Sequence, residues 1–350
     1  MMSYCSHHLL NSSCITGGVS AIPTTSLPAS SVKFPQISTR GFGNRDCVSR
    51  RHNFQGKSTD ADVETSEPST SISVNNVNAS SSGPSTSFLS LLCPLLKLFS
   101  GGDPSQQRNF TLEAATSSLA SLARFAWGSK SVVGSSMNKE ITSNFPMRLQ
   151  LYEFEACPFC RRVREALTEL DLSVEVYPCP KGSSRHREVV KRSGGKEQFP
   201  FLIDPNSGIS MHESGDIVKY LFERYGGGRS PSTGLLESTL FTGWVPTLLR
   251  AGRGMTLWER SSPDPPPEKL ELFSYENNAF ARIVREALCE LELPYILQNV
   301  GDGSCRNDLL FKASGSKEVP YFIDHNTGFQ SGDYKMIISY LFQTYSVATM

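Results

Sequence analysis

The stretch that decides the fold is Leu149-Gln-Leu-Tyr-Glu-Phe-Glu-Ala-Cys-Pro-Phe-Cys160. Its apolar start predicts a strand, and the spacing of Val163, Ala166, Leu167 and Leu170 predicts a helix directly after it. A strand that turns into a helix through Cys157-Pro158-Phe159-Cys160 places the first sulfur at the helix N-terminus. Unpaired backbone N–H groups and the positive end of the helix dipole favour a thiolate there. The second sulfur lies one turn further, close enough to resolve a mixed disulfide on the first.

A second copy of this unit follows about 120 residues later. Val163-Arg-Glu-Ala-Leu167 recurs letter for letter as Val284-Arg-Glu-Ala-Leu288, and Lys196–Asp204 matches Lys317–Asp324 with one residue fewer. Each unit reads strand, helix, strand, helix, two short strands around a turn, and helix. Strand-helix-strand connections give parallel pairs and the tight turn an antiparallel one, which is the thioredoxin arrangement. The predicted fold class is therefore α/β, with two tandem thioredoxin-like domains, 148–226 and 269–346, after a disordered N-terminal leader.

The leader has the composition of a targeting sequence. Residues 1–59 contain six Lys or Arg residues, a single acid (Asp46), many Ser and Thr residues and no long apolar run. Such composition is typical of an organelle transit peptide and not of a secretory signal, and the Ser/Thr content favours the plastid. We expect residues 1–60 to be a chloroplast transit peptide, with the stroma as the destination or an association with thylakoids. A merely disordered tail is the alternative.

The remaining segments connect or extend the two domains. Residues 61–110 are predicted to be a disordered, low-complexity linker, in which Phe88–Phe99 is apolar but too short and too broken to span a bilayer. That run either docks on the body or lies weakly on a membrane surface. Residues 111–147 are predicted to be a helical extension whose apolar stripe packs on the first domain. Residues 227–268 read as a linker with a proline-rich end. The apolar stripe of the helical extension 111–147 consists of Leu112, Ala115, Leu119, Leu122 and Phe125.

Charge excludes one class of partner. Without residues 1–59 the chain has 28 basic and 33 acidic residues and no basic stripe, so no nucleic-acid partner is expected.

The residues quoted above resemble the N-terminal domain of glutathione transferases and the related glutaredoxins. The tandem layout resembles a plastid protein family with two transferase N-terminal domains. The resemblance implies that Cys157 is the nucleophile with a lowered pKa, that Cys160 resolves, and that glutathione is the co-substrate. Arg161 and Arg162 are expected to assist the thiolate. The alternative is half of a zinc site completed from Cys179, His186 or His212, although no metal is expected because four ligands are needed.

Two further motifs of the first unit carry the resemblance. Phe199-Pro200 precedes a strand, and the resemblance implies a cis proline that faces the cysteines and pairs its neighbouring backbone with glutathione; a trans proline on an edge strand is the alternative. Glu213-Ser214 matches the pair that holds the γ-glutamyl end of glutathione in the transferases; a plain helix N-cap is the alternative. Cys179, between two prolines, is either a structural turn cysteine or a modification site.

The second unit keeps the fold-bearing residues and loses the thiols. Asn278 and Ala281 stand where the first unit has cysteines, Asp333-Tyr334 replaces Glu213-Ser214, and Pro320 is retained. This unit cannot exchange disulfides by itself.

These patterns predict a plastid glutathione-linked thiol-disulfide oxidoreductase, with disulfide-containing proteins as substrates. The alternative is a non-catalytic, transferase-like module that binds glutathione or a partner. A conjugating glutathione transferase, or an isomerase like the membrane-associated prostaglandin E synthases, is less favoured because the helical domain of those enzymes is missing. Iron–sulfur binding through glutathione and Cys157 has no particular support, and the oligomeric state is not predicted.

Overall fold

The computed structural model describes Ser105, residues 109–132 and residues 146–347. All of them belong to one compact unit of the chain, Asn78–Met350. The predicted transit peptide of residues 1–60 and nearly all of the predicted linker 61–110, with its Phe88–Phe99 run, lie outside the described residues.

Residues 149–225, here named the first half, form four strands and three helices. A separate helix precedes them in the chain. In chain order the elements are α1 (Phe110–Leu122), β1 (Leu149–Glu153), α2 (Pro158–Glu169), β2 (Val174–Pro178), α3 (Arg185–Gly194), β3 (Phe201–Asp204), β4 (Ile209–Met211) and α4 (Ser214–Tyr225).

Residues 270–345, the second half, repeat that order of elements. The segment between the halves contains regular structure: a 3-10 turn (Ser238–Leu240) and a short helix, α5 (Val245–Leu249). The second half then contains β5 (Leu270–Ser274), α6 (Ala279–Glu290), β6 (Tyr295–Asn299), α7 (Asn307–Ser314), β7 (Tyr321–Asp324), β8 (Phe329–Ser331) and α8 (Tyr334–Thr344).

All eight strands join one mixed sheet in the order β4-β3-β1-β2-β6-β5-β7-β8. Within each half the two strands nearest the junction are parallel (β1 with β2, and β5 with β6), and the other pairs are antiparallel. The halves meet where β2 pairs antiparallel with β6, with Glu175 opposite Ile296. The mixed α/β fold is therefore confirmed. The division into two tandem domains stays a prediction, because both halves share this sheet and one hydrophobic core.

The core explains the sequence pattern. Alternate residues of β2 are buried, and α2 buries the face that carries Val163 and Leu167. The matching residues of α6, Val284 and Leu288, are buried in the same cluster. Burial of these apolar side chains on both sides of the junction stabilises the halves as one body.

Four buried charged side chains lie at the junction, here named the central ion cluster: Glu155, Arg164, Glu276 and Arg285. Arg164 of the first half contacts Glu276 of the second (Nε–Oε2 2.7 Å), and Arg285 of the second contacts Glu155 of the first (Nε–Oε2 3.1 Å). Each arginine also contacts the glutamate of its own half, at 3.1 and 3.0 Å. All four side chains are at most 2 % exposed, so each charge depends on its partners for the solvation that water would otherwise give.

Helix α1 contacts the body with the opposite face from the one predicted. Its buried residues are Ser117 and Ala120, whereas Leu119 and Leu122 are exposed. Ser117 Oγ donates to the carbonyl of Ala279 at the start of α6, at 2.6 Å. The expectation that the apolar stripe packs on the first domain is thus wrong: hydrogen bonds of the polar face direct α1 onto the second half and α5.

Two arginines connect α1 and residues 227–268, here named the α5 segment, to the halves. Arg124 pairs with Glu165 of α2 and donates to Thr242 Oγ1 at 2.8 Å. Arg250 pairs with Glu286 of α6 and donates to Thr116 Oγ1 at 2.5 Å. Each arginine thereby connects its own segment, the other segment and one half.

Among the described residues, no helix has the length and apolar character needed to cross a bilayer.

Candidate functional site

Cys157 is the N-cap residue of α2. Its backbone is extended (φ −75°, ψ 120°), and its Sγ accepts a hydrogen bond from the Cys160 backbone N–H at 3.4 Å. Pro158 follows in the first turn, where a missing N–H costs nothing because that position has no partner inside the helix. The sequence therefore folds locally so that one sulfur faces the N–H groups of the helix start.

The two cysteines have opposite pKa shifts. Burial alone would raise the pKa of the Cys157 thiol, but hydrogen bonds from the Cys160 side chain and from the backbone of Cys160 and Phe159 outweigh it, so that the pKa is lowered. Burial and the hydrogen bond to Cys157 raise the pKa of Cys160 well above its usual range. The lowered pKa of Cys157 is in the direction predicted from the helix N-terminus. The pair can hold one thiolate next to one thiol.

Access to Cys157 is restricted. The residue is 2 % exposed. The α5 segment covers the start of α2: Thr247 Oγ1 donates to the Ala156 carbonyl at 2.6 Å, and the Trp244 ring meets Phe159 edge-on at 6.3 Å. In this conformation the Cys157 sulfur is therefore closed to a disulfide substrate.

Arg161 and Arg162 do not take the predicted place beside the thiolate. Arg161 donates to the Gly243 carbonyl at 3.0 Å and lies 3.4 Å from a Glu276 oxygen at the junction. Arg162 instead donates to Ser214 Oγ at 3.2 Å and to Thr239 Oγ1 at 2.7 Å. Nothing in the sequence pattern indicated that Arg162 would reach the serine of the second motif.

The Phe199–Pro200 peptide bond is cis, as predicted, and so is Val319–Pro320 in the second half. Pro200 is buried directly before β3. Phe199 meets the ring of Phe154 edge-on at 6.0 Å, and the Arg187 guanidinium lies 4.9 Å from the Phe199 ring. Phe154 lies between β1 and Cys157, so these contacts connect Phe199 to the chain that leads into the cysteine motif.

Glu213 and Ser214 stand at the start of α4 in an unusual conformation. Glu213 has a φ of +66°, a region that residues other than glycine rarely adopt, and its side chain makes no hydrogen bond that caps the helix. Its Oε1 instead accepts from Gln198 Nε2 at 2.6 Å. Outliers of this kind concentrate at ligand-binding positions.

The second half shows what a plain cap looks like. Asp333 has an ordinary φ of −86°, and its carboxylate accepts from the Lys335 N–H at 2.9 Å. Asn278 likewise caps α6 by accepting from the Ala281 N–H at 2.8 Å. Tyr334, which replaces the serine, stacks on Phe280 at 5.0 Å. In the first half no side chain caps α4, and the Asp216 N–H donates to the Glu213 carbonyl instead, at 3.0 Å.

The remaining candidates are structural. Cys179 is fully buried, and burial raises its pKa well above the usual range, which disfavours its thiolate. The His212 ring contacts the carbonyl oxygens of Gln198 (3.0 Å) and Gly194 (3.1 Å). In the described part of the chain, no group of three His, Cys, Asp or Glu side chains is arranged to hold a metal ion.

The comparisons with known proteins give one family and one structure. Residues 151–229 match the family model of the glutathione S-transferase N-terminal domain. No curated protein matches the chain. Among solved structures, a trimeric glutathione transferase of Leishmania, TDR1, aligns at 14% identity over 58% of this chain and 68% of its own, with a TM-score of 0.22. The stretch that contains Cys157, Pro200 and Ser214 is therefore similar to a glutathione S-transferase N-terminal domain.

Proposed function

We propose that this protein is a glutathione-linked thiol-disulfide oxidoreductase. The observation that carries the proposal is the position of Cys157 at the N-terminus of α2, where its Sγ accepts the Cys160 N–H at 3.4 Å; a pKa lowered at Cys157 and raised at Cys160 agrees with it. A thiolate attacks disulfides, whereas a protonated thiol waits until a mixed disulfide has formed. The similarity of residues 151–229 to a glutathione S-transferase N-terminal domain supports glutathione as the thiol.

The reaction proceeds by two exchanges. The Cys157 thiolate attacks the glutathione sulfur of a protein–glutathione mixed disulfide; a bond forms between the two sulfurs, and the protein sulfur leaves as a thiolate and takes up a proton. Cys160 then loses its proton and attacks Cys157 Sγ, which releases reduced glutathione and leaves a Cys157–Cys160 disulfide. Two molecules of glutathione reduce that disulfide and become glutathione disulfide, so the electrons balance.

The binding of glutathione is assigned to the residues around the two motifs. The γ-glutamyl carboxylate would bind at Ser214 Oγ and the uncapped N–H groups of α4, and Glu213 would hold the α-ammonium group. The backbone beside the cis Phe199–Pro200 bond would pair with the cysteinyl part of the tripeptide.

The test is reduction of a glutathione mixed disulfide by the full chain, with glutathione and glutathione reductase as the electron source. We expect turnover that disappears in Cys157→Ser and partly survives in Cys160→Ser, because glutathione itself can release the mixed disulfide on Cys157. Equal turnover in the wild type and in Cys157→Ser contradicts the proposal.

A second candidate is a binding module without turnover. The observation that favours it is the burial of Cys157 below the α5 segment. Glutathione binding by calorimetry without any turnover in the assay above would select this candidate.

We further propose that the protein acts in the plastid, on the basic, Ser/Thr-rich and acid-poor composition of residues 1–60. A fluorescent fusion of the full chain should enter plastids, and a fusion that lacks residues 1–60 should remain in the cytosol.

A further inference from the structure

A group of bulky apolar side chains lies exposed on α1, on the turn that follows it and on the α5 segment. The two phenylalanines of this surface, Phe125 and Phe241, are 77% and 80% exposed, more than any other large apolar side chain in the described ranges. The surface, here named the outer apolar face, comprises Leu112, Leu119, Leu122, Phe125, Leu240, Phe241 and Leu248.

The face arises because α1 is inverted relative to an ordinary surface helix. Ser117 of α1, and Arg124 in the turn just after it, are buried and hydrogen-bonded to the body, whereas Thr111 and Ser118 are exposed. The leucines of α1 at helical spacing point outward. An ordinary amphipathic surface helix buries its apolar side. Contact of the protein with water alone therefore does not explain why α1 exposes its leucines.

The two segments form one surface and not two separate patches. Helix α1 packs against α5, and the bonds from Arg250 to Thr116 and from Arg124 to Thr242 join the segments below the face. Contiguous exposed apolar surface of this kind marks a docking site for a protein or a membrane.

We infer that the outer apolar face inserts into the interface of a lipid bilayer. The first reason is charge: the exposed residues along α1 carry no ionisable side chain, and its acid, Glu113, is turned inward onto Arg250. A protein partner usually meets a face with a polar rim, whereas exposed phenylalanines beside a helix with no exposed charge suit the headgroup–acyl boundary. The α5 segment adds one exposed acid, Glu237, three residues before Leu240.

The second reason is the sequence that enters α1. The run Phe88–Phe99 ends about ten residues before the helix and contains a single charge, Lys97, and no acid. The sequence that leads into α1 is thus also rich in apolar residues, which is the composition that favours a lipid surface over a charged partner. Because the chain from residue 60 onward is net acidic, the attachment depends on apolar insertion and not on anionic lipid.

Flotation of the full chain with phosphatidylcholine vesicles tests the inference. The double variant Phe125→Ser/Phe241→Ser should lower the vesicle partition coefficient by about tenfold or more, since two large apolar side chains no longer leave water. The matched control changes two exposed apolar residues of α7 (Leu309→Ser/Phe311→Ser) and should stay within about twofold of the wild type. Raising the salt concentration should leave binding unchanged. Equal melting temperatures of both variants show that folding is retained.

Three results would overturn the inference. One is equal flotation of the wild type and the Phe125/Phe241 variant. The second is a dimer, seen by light scattering, that this variant dissociates while the wild type ignores vesicles; the face then binds a second copy. The third is a disulfide between Cys93 and a cysteine introduced as Leu119→Cys that forms equally with and without vesicles, because the Phe88–Phe99 run then covers the face.

Discussion

Cys157 and Asn278 occupy the same place at the start of α2 and α6, and the difference between them defines the chemistry of the two halves. Both accept a hydrogen bond from the N–H three residues further on. The sulfur can ionise and the amide cannot, so the same helix start stabilises a thiolate in one half and serves only as a cap in the other.

Cys157 should react as a thiolate at lower pH than a free cysteine. The rate of alkylation by iodoacetamide should rise with a midpoint below the value of about 8.5 for a free thiol. Cys160→Ala should move the midpoint upward, since the hydrogen bond from Cys160 is the largest contribution that lowers the Cys157 pKa. Mass spectrometry of the labelled peptide measures the rate. An identical midpoint in folded and urea-unfolded protein would refute the lowered pKa.

Ser214 should contribute to glutathione affinity. Ser214→Ala removes one hydroxyl at the start of α4, where no side chain caps the helix. We expect the Kd for glutathione to rise about tenfold, because one hydrogen bond to a charged group is lost. The control is Ser339→Ala, an exposed serine of α8 in the second half. Calorimetric titration measures both, and equal affinities in the two variants would remove Ser214 from the site.

At the scale of elements, the α5 segment governs access to the cysteines. It is held at the start of α2 by one hydrogen bond from Thr247 and by the ring contact of Trp244. The prolines and glycines of residues 227–268 predict an irregular linker, because packing against a partner 91 residues away in sequence leaves no local pattern.

Thr247→Val should expose Cys157 more often. Valine has nearly the same shape but cannot donate to the Ala156 carbonyl, and the loss of about 1 kcal/mol should raise the opening equilibrium, and with it the alkylation rate, about fivefold. Thr233→Val, an exposed position of the same segment, serves as the control. If the two variants react equally fast, reagents reach Cys157 by another route.

At the scale of the whole molecule, the central ion cluster and the β2–β6 pair join the halves into one body. Arg164 and Glu276 are 112 residues apart in sequence. Each arginine belongs to the repeated Val-Arg-Glu-Ala-Leu motif, but the repeat itself does not indicate that the two copies face each other.

Glu276→Gln should lower the free energy of unfolding by about 3–5 kcal/mol, because it leaves Arg164 and Arg285 buried with one carboxylate fewer. Glu268→Gln, at an exposed position, should change it by no more than about 0.5 kcal/mol. Urea titration measures both. A cost below about 1 kcal/mol would show that water solvates the cluster.

The same residue sets a pH dependence. Burial raises the pKa of Glu276, but Arg164 and Arg285 outweigh it and lower the pKa from its ordinary 4.5 to about 2. A carboxyl with a lowered pKa in the folded state contributes stability above its unfolded pKa and loses it on acidification. The wild type should therefore lose stability relative to Glu276→Gln between about pH 4.5 and pH 2.

Short stretches of sequence predict those elements whose conformation is determined by neighbouring residues. The apolar run of β1, the helical spacing of α2 and the cis proline at Phe199–Pro200 all follow from short stretches of sequence. The orientation of α1 does not, because periodicity shows which residues share a face and not which face meets the body. The contact of Arg162 with Ser214 and the pairing of β2 with β6 depend on distant residues in the same way.

The shared sheet has a consequence for the half that lacks cysteines. Two separate polypeptides that joined through β2 and β6 would come apart on dilution, whereas two halves of one chain meet at a high effective concentration that does not depend on how much protein is present. The cysteine-bearing half thus has a permanent neighbour even at the lowest abundance. The second half can serve as this neighbour without cysteines, so Asn278 and Ala281 can stand in their places.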